Sequence, residues 1–415
     1  METGTETVRA RYLTKHFHRA IPVKILFLAL DIDLGRQRGD SIHALSLARA
    51  LTRSGHRVHL VVGATDPAMV VPGLEISVRA VGGDLSVIRQ VWRVSRRFQP
   101  DVIYERRFSP KVSAALSMLT NTPYVVECNG IVEEEAAMQG RPLTETPWRR
   151  LKASIRALTL RRAAAIVAVA TGLSDALVER YGVSRRRVSV IENGVDPVLF
   201  QPRIRDSVRT LEGFGTDPII CFVGNLVAWQ GLESLLYALR DVPRPVRLLV
   251  VGDGPDRQRL AGLVRELALS ERVEFLGTVP HQKIPDYIAL SNLCVAPFIA
   301  KRNQKMGISP LKVFEYLACA RPVVVTDIPG ARELVESTGA GIVVAPDEPV
   351  ALKEAIGRVL IDPAFSVAAV RASDIVRRDH SWDGVATAVV RVLTAAASRR
   401  ARPIDSLAGE AHGEF

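Results

Sequence analysis

From Val23 to Pro346 the chain repeats one local pattern: a short apolar run, then a stretch with apolar residues at helical spacing. VKILFLAL (Val23–Leu30) is too short for a core helix, and it does not alternate with polar residues. That is how a strand buried on both faces reads. Ile42–Ser54 has helical spacing and stops at Gly55, and RVHLVVG (Arg57–Gly63) is the next strand. DVIYE (Asp101–Glu105), a helix through Ser113–Leu119, YVVE (Tyr124–Glu127), a long helix from Trp148, AIVAVA (Ala165–Ala170) and VSVIENG (Val188–Gly194) continue it. Strands that alternate with helices predict a parallel, doubly wound sheet.

The pattern then restarts. IICFVGN (Ile219–Asn225), a helix over Leu232–Arg240, VRLLVVGDG (Val246–Gly254), VEFLG (Val273–Gly277), LCVAPF (Leu293–Phe298), PVVVTD (Pro322–Asp327) and GIVVAP (Gly341–Pro346) make a second such unit. Asn193–Pro218, broken by Pro197, Pro202, Gly213, Gly215 and Pro218, reads as the linker. The expected architecture is α/β, with two Rossmann-like domains over 21–200 and 215–378. A C-terminal helix at about 380–398 is expected to return to the first domain, and 1–20 and 400–415 read as flexible tails. Ligands in such sheets bind at the carboxyl ends of the strands, here in a cleft between the two halves.

Charge separates the halves. Residues 1–200 hold 29 of the 55 lysines and arginines but only 19 of the 44 acidic residues. A basic first half beside a nearly neutral second one points to an anionic partner for the first alone, or to arginines on solvated faces. Trp148–Arg162 concentrates that charge, with Trp148, Leu151, Ile155 and Leu158 on one stripe and basic residues elsewhere. It reads as a core-facing helix with a solvated basic face, or as a contact with an anionic membrane carrying a lipid-linked acceptor. No aromatic platform accompanies the charge, so no nucleic-acid partner is expected. Cys128, Cys221, Cys294 and Cys319 lie far apart, which excludes a zinc ribbon and fits a reducing compartment. No apolar run approaches the roughly 20 residues needed to span a bilayer. The expected location is cytoplasmic, at most peripheral on the inner face of the membrane.

KMGISPLKVFEY (Lys305–Tyr316) carries the chemistry. Ser309 suits an N-cap and Pro310 the first helical position. The amides of that first turn, with the helix dipole, make a site for phosphate, and Gly307 lets a ligand approach the backbone. Glu315 shares a face with Lys312 and Ile308. An anion at the helix mouth beside a carboxylate that accepts from hydroxyls describes a nucleotide sugar. A capped core helix with a Lys–Glu pair is the plainer reading of this stretch alone.

Taken in order, IENGVDPVLFQP, CFVGNLVAWQGLESLLYAL, LLVVGDGPDRQRL, RVEFLGTVPHQKIPDYIALSNLCVAPF, SPLKVFEYLACARPVVVTDIPGARELV and GAGIVVAP resemble the second domain of family 4 retaining glycosyltransferases of the GT-B fold. GDSIHALSLARALTRSGHRVHLVV resembles that family's glycine-rich loop and first helix. The likeness, from about Val23 to Leu393, implies a transferase that uses a nucleoside-diphosphate sugar, with neither metal nor cofactor. Glu315 matches the last glutamate of the E-x7-E signature and would bond the ribose. Amides around Gly307, Ile308 and Ser309, with Pro310, Leu311 and Lys312, would hold the diphosphate. Gly224, Asn225, Gln230 and Gly252, at the strand ends and the following glycine-bounded loop, complete the donor side. Gly39 and Asp40 match the loop that closes over diphosphate and acceptor. Asn193, Gly194 and Asp196 match the hinge. Apart from the likeness, His43 reads as an acceptor contact or a helix-surface histidine, and Arg106 and Arg107, after the strand DVIYE, as acceptor contacts or a surface pair.

Departures from the family pattern are specific. Gly307 stands at the first E-x7-E glutamate, as in a subgroup whose donor helix reads SP-x-K-x-x-EY. Asn225 and Gln230 stand where a basic pair is usual, so either Lys312, Lys305 or Arg302 offsets the diphosphate charge or donor affinity is weak. Asn129 occupies the position of an active-site histidine; it can bond a sugar hydroxyl but cannot act as a base. The expected function is retaining transfer of a sugar to a glycan, lipid-linked or small-molecule acceptor. A regulatory scaffold that binds nucleotide sugar, or a sugar-nucleotide epimerase, are the alternatives. Asp31-Ile32-Asp33 imitates a metal-binding DxD, but ends a buried strand and is not expected to bind metal.

Overall fold

A computed structural model describes residues 22–36, 38–66, 69–131, 146–204, 217–242 and 246–398; both expected tails and much of the linker lie outside them. In the first half the strands are Lys24–Asp33 (β1), Arg57–Ala64 (β2), Leu74–Val78 (β3), Val102–Arg106 (β4), Tyr124–Cys128 (β5), Ala165–Ala168 (β6) and Val188–Val190 (β7). They form one parallel sheet in the order β3-β2-β1-β4-β5-β6-β7. The second half contributes Ile219–Val223 (β8), Arg247–Val251 (β9), Val273–Gly277 (β10), Leu293–Ala296 (β11), Val323–Thr326 (β12) and Gly341–Val344 (β13). Their order is β10-β9-β8-β11-β12-β13, again parallel. This is the doubly wound, two-domain GT-B architecture.

Burial explains why β1 does not alternate. Ile25, Phe27 and Ala29 pack on one face of the sheet, Leu26, Leu28 and Leu30 on the other, and both faces are covered by helices. Two features escaped the sequence pattern. Edge strand β3 mixes buried and exposed positions, and helix Asp84–Phe98 buries only Val87, Val91, Ser95 and Phe98. Helix Trp382–Ser398 lies on the first sheet, where Trp382, Val389 and Leu393 join the core containing Phe27 and Leu47. The chain thus crosses between domains twice, and the two crossings meet. Val195 donates its N–H to the His380 carbonyl (2.8 Å) and accepts from the Trp382 N–H (3.1 Å).

Strand order reverses at β1, flanked by β2 and β4, and at β8, flanked by β9 and β11. The carboxyl ends of β1, β4, β8 and β11 therefore open onto the crevices where such sheets take ligands.

Candidate active site

A cleft of about 640 Å3 lies between the two domains, and the residues named above for the donor, for catalysis or for the acceptor line it, apart from Lys305, which does not, and Arg302, whose side chain lies outside the described ones. One wall belongs to the second domain. Helix Leu311–Ala318 starts there, one residue later than the sequence suggests: Pro310 is the N-cap. Ser309 does not cap the helix. Its Oγ accepts from the Asn193 N–H (2.7 Å), and its carbonyl accepts from Asn193 Nδ2 (2.7 Å). The hinge asparagine thus pins the helix mouth to the crossover.

The amides differ from expectation too. The Gly307 N–H is taken by the Asn303 carbonyl (2.8 Å) and the Ile308 N–H by the Pro329 carbonyl (2.9 Å). Those two donors are spent, and the glycine is needed instead for its φ of +67°. The amides of Ser309, Leu311 and Lys312 have no protein partner among the described residues, so the anion-ready face lies further into the helix.

Lys312 is the basic side chain buried in this wall. Its Nζ donates to Gln230 Oε1 at 2.6 Å and sits 4.0 Å from the Phe222 ring centroid. A Cβ on Gly224 would lie 2.6 Å from that nitrogen, so any larger residue at the end of β8 would have to push the lysine aside as well as adopt the φ of +153° that favours glycine. Burial pushes the Lys312 amine down to about 7, against the pull of Glu315 and Cys221. Gln230 Oε1 thus accepts from the lysine, while the residue still lines the cleft. Asn225 keeps its Oδ1 buried and unpaired beside Gly254. Glu315 lies 3.3 Å from His281 Nε2, so His281 orients the carboxylate.

The facing wall belongs to the first domain and centres on a residue the sequence did not single out. Glu127 is the penultimate residue of β5 and is 2% exposed. Tyr104 Oη donates to its Oε2 (2.6 Å) and Asn129 Nδ2 to its Oε1 (2.6 Å). His43 Nε2 (2.9 Å) and Arg106 Nε (3.2 Å) also lie within ion-pairing distance of Oε1, off the hydrogen-bond axis. Burial drives the Glu127 carboxyl up, but His43, Arg106 and Asn129 outweigh it and hold the group down at about 2. His43, Arg106 and Asn129 were each expected near the cleft for separate reasons; one carboxylate gathers them. A charged residue ending a fully apolar strand was the available signal.

Arg107 and Asp40 line the cleft from exposed positions, and Asp40 Oδ1 accepts from the Ser41 N–H (2.9 Å). Gly39 reaches the opposite wall, since a Cβ there would sit 3.6 Å from Leu311 Cδ1. Gly252 lines the cleft at the end of β9. Asp31 also lines it, whereas Asp33 is tied to the Gly35 amide and Arg36. No group of three or more metal-ligating side chains occurs among the described residues.

Comparison with known proteins agrees with this arrangement. Residues 38–199 match the model for Glycosyltransferase Family 4, and residues 217–362 match the model for Glycosyl transferases group 1, together most of the chain. A D-inositol 3-phosphate glycosyltransferase of Xylanimonas cellulosilytica is 28% identical over 57% of this chain and 58% of the relative. A 2-deoxystreptamine glucosyltransferase of Streptomyces kanamyceticus is 27% identical over 61% and 65%. The matched region thus spans about six-tenths of these relatives' length. Among solved structures, sucrose-phosphate synthase from Thermosynechococcus elongatus superposes with a TM-score of 0.74 at 20% identity, covering 89% of this chain and 98% of the other. HepE of Anabaena in complex with UDP-glucose gives 0.73 at 22% identity, covering 90% and 99%. With a glycosyltransferase domain matched in each half and the GT-B fold throughout, the chain belongs to the family 4, group 1 glycosyltransferases.

Proposed function

We propose that this protein transfers a sugar, with retention and without a metal ion, from a nucleoside-diphosphate sugar to an acceptor hydroxyl held by the first domain. The observation that carries the reading is the pairing across one cleft of an anion site, Lys312 with the open amides of Leu311–Ala318, and the polar cluster around Glu127. HepE, which shares the fold, was crystallised with UDP and with UDP-glucose, which makes a UDP-sugar the first donor to test.

In this mechanism the second domain binds and stabilises the leaving group. Free amides at the helix mouth and the Lys312 ammonium face the diphosphate as negative charge builds on it, and Glu315, steadied by His281, accepts from the ribose hydroxyls. The C–O bond to the diphosphate breaks as an oxocarbenium-like centre develops. The acceptor hydroxyl attacks from the same face and passes its proton to the departing phosphate oxygen. No side chain need act as nucleophile: Glu127, the nearest buried carboxylate to Asn129, is fully engaged by donors. Positioning and electrostatics then supply the rate.

The acceptor side favours contact with a membrane surface. On helix Pro147–Arg162 the stripe expected to face the core is instead exposed: Trp148 62%, Leu151 48%, Ile155 37% and Leu158 44%. Arginines and lysines flank it, the combination that settles into an anionic interface and would bring a lipid-linked acceptor to the cleft. No described helix is long and apolar enough to cross a membrane. On this reading the enzyme works at the cytoplasmic face, where it meets its donor.

The deciding experiment incubates the purified protein with UDP-, GDP-, ADP- and dTDP-sugars, with and without EDTA. Slow release of nucleoside diphosphate from one of them, unchanged by EDTA, is expected. Nucleotide binding without release indicates a regulatory scaffold. A changed sugar still attached to its nucleotide indicates an epimerase.

A further inference from the structure

We propose that Glu127 is a positioning residue: its buried carboxylate turns the amide of Asn129 so that the carbonyl oxygen faces the cleft and accepts from a hydroxyl of a bound sugar or polyol. This rests on the glycosyltransferase reading above and names the group that reads hydroxyls on the first domain's side.

The chemistry of the pair dictates the orientation. An ionised carboxylate can only accept, so the Asn129 side chain must present its nitrogen to Glu127, as it does at 2.6 Å. Its oxygen then points the other way. Asn129 lines the cleft and is half-buried, and its Oδ1 has no protein partner among the described residues, whereas Glu127 is sealed beneath it. Without Glu127 the amide would be free to turn over and offer a donor in place of an acceptor. Tyr104 fixes the other carboxylate oxygen from β4 at 2.6 Å, so Glu127 cannot rotate away. The Arg106 guanidinium, with Nε 3.2 Å from Oε1, favours the ionised carboxylate, and an ionised carboxylate is what sets the direction.

The hydroxyl read by Asn129 is not the one that attacks, because that one hands its proton to the leaving phosphate. It belongs either to the acceptor, beside the attacking oxygen, or to the transferred sugar. In both cases Glu127 acts through Asn129, and losses from the two residues should not add.

The test is a double-mutant cycle on the full chain with Glu127→Met, which keeps the length but cannot accept, and Asn129→Ala. Transfer kcat/KM, donor hydrolysis without acceptor, and UDP binding are measured for each. Each single change is expected to lower transfer at least tenfold, the double to fall no more than threefold below Asn129→Ala, and UDP binding to stay within twofold throughout. Glu127→Gln, whose amide oxygen can still accept from Asn129, is expected to restore most of the transfer lost in Glu127→Met. It carries the same cycle should the methionine variant fail to fold. If hydrolysis falls with transfer, the hydroxyl is the donor sugar's; if hydrolysis is spared, it is the acceptor's. Additive losses, unchanged transfer in Glu127→Met, or UDP binding that falls in step would overturn the proposal. A wild-type chain that binds UDP-sugar and transfers normally while the cycle is additive sinks only this inference. One that turns over no nucleotide sugar sinks the parent reading with it.

Discussion

The two walls of the cleft are built by different means. On the proposed donor side a single stretch, Ser309–Glu315, supplies open amides, the lysine and the carboxylate, and its supports Gln230 and His281 come from two short 3-10 turns, Ala228–Gln230 and His281–Lys283. On the acceptor side no stretch suffices. Glu127 draws His43 from the first helix, Tyr104 and Arg106 from β4, and Asn129 from the loop after β5. A diphosphate is a compact, strongly charged target that one helix start can meet. Hydroxyls are neutral and scattered, so reading them takes groups from several elements held at fixed angles. Damage to the donor wall should therefore appear in nucleotide binding, and damage to the acceptor wall should leave nucleotide binding intact.

The largest effect is expected from Lys312→Met. It removes the buried cation and leaves Gln230 Oε1 without its donor. Bonds of this charge-assisted kind are worth about 1.5–3 kcal/mol, so UDP affinity by calorimetry should fall about tenfold to a hundredfold. Unchanged affinity would show that amides alone hold the diphosphate. Gly224→Ala probes the same point from the strand side, since the new Cβ would press on Lys312 Nζ; a loss of UDP affinity, smaller than for Lys312→Met, is expected.

Glu315→Ala should cut transfer at least tenfold, with the deficit visible as weaker nucleotide binding. A deficit confined to acceptor KM would move Glu315 to the other side of the comparison.

The pH dependence also divides the walls. The Lys312 amine is pushed down to about 7 in the free protein, so above that pH it is increasingly neutral, and a bound diphosphate would recharge it. UDP binding should then take up a proton at pH 8, seen as a buffer-dependent heat, and should weaken as pH rises from 7 towards the ordinary lysine range. The same depression means the folded chain binds fewer protons than the unfolded one between about 7 and 10.5, so this residue alone makes stability rise with pH there. Glu127 contributes in the opposite quarter: held down at about 2, it supports the fold above the ordinary glutamate range and loses that contribution as pH falls from about 4.5 to 2. Binding that releases no heat of buffer ionisation at pH 8 would remove Lys312 from the phosphate site.

The smallest effect is expected from Ser309→Ala. Its hydroxyl accepts from the Asn193 amide but does not cap the helix, and the Asn193 Nδ2 bond to the Ser309 carbonyl remains. A loss of about 1 kcal/mol in stability with transfer changed only a few-fold would fit a hinge contact. A tenfold loss of UDP affinity would instead place the hydroxyl on the phosphate.

Much of this was written in the sequence because it is local. Uninterrupted apolar strands such as Val23–Leu30 and Ile219–Val223 can be buried only between helices, and their order gave two parallel sheets with ligands at their carboxyl ends. The donor helix announced itself through Pro310, Lys312 and Glu315 at fixed spacing. Its amides could not be assigned from sequence, because which of them are spent depends on carbonyls from Asn303 and Pro329. Helix Trp148–Arg162 is the same lesson in reverse: a stripe has a direction only once its neighbours are placed.

What the sequence determined alone is the alternation of buried strands and helices, and with it the cleft and its anion-ready helix. Those follow from hydrophobic periodicity and backbone chemistry, which act over a few residues. Only the tertiary structure decided that Lys312 meets Gln230 and that Glu127 lies beneath Asn129. Both pairings join residues from different elements, and a buried charge is settled by whatever partners the fold brings within hydrogen-bond reach.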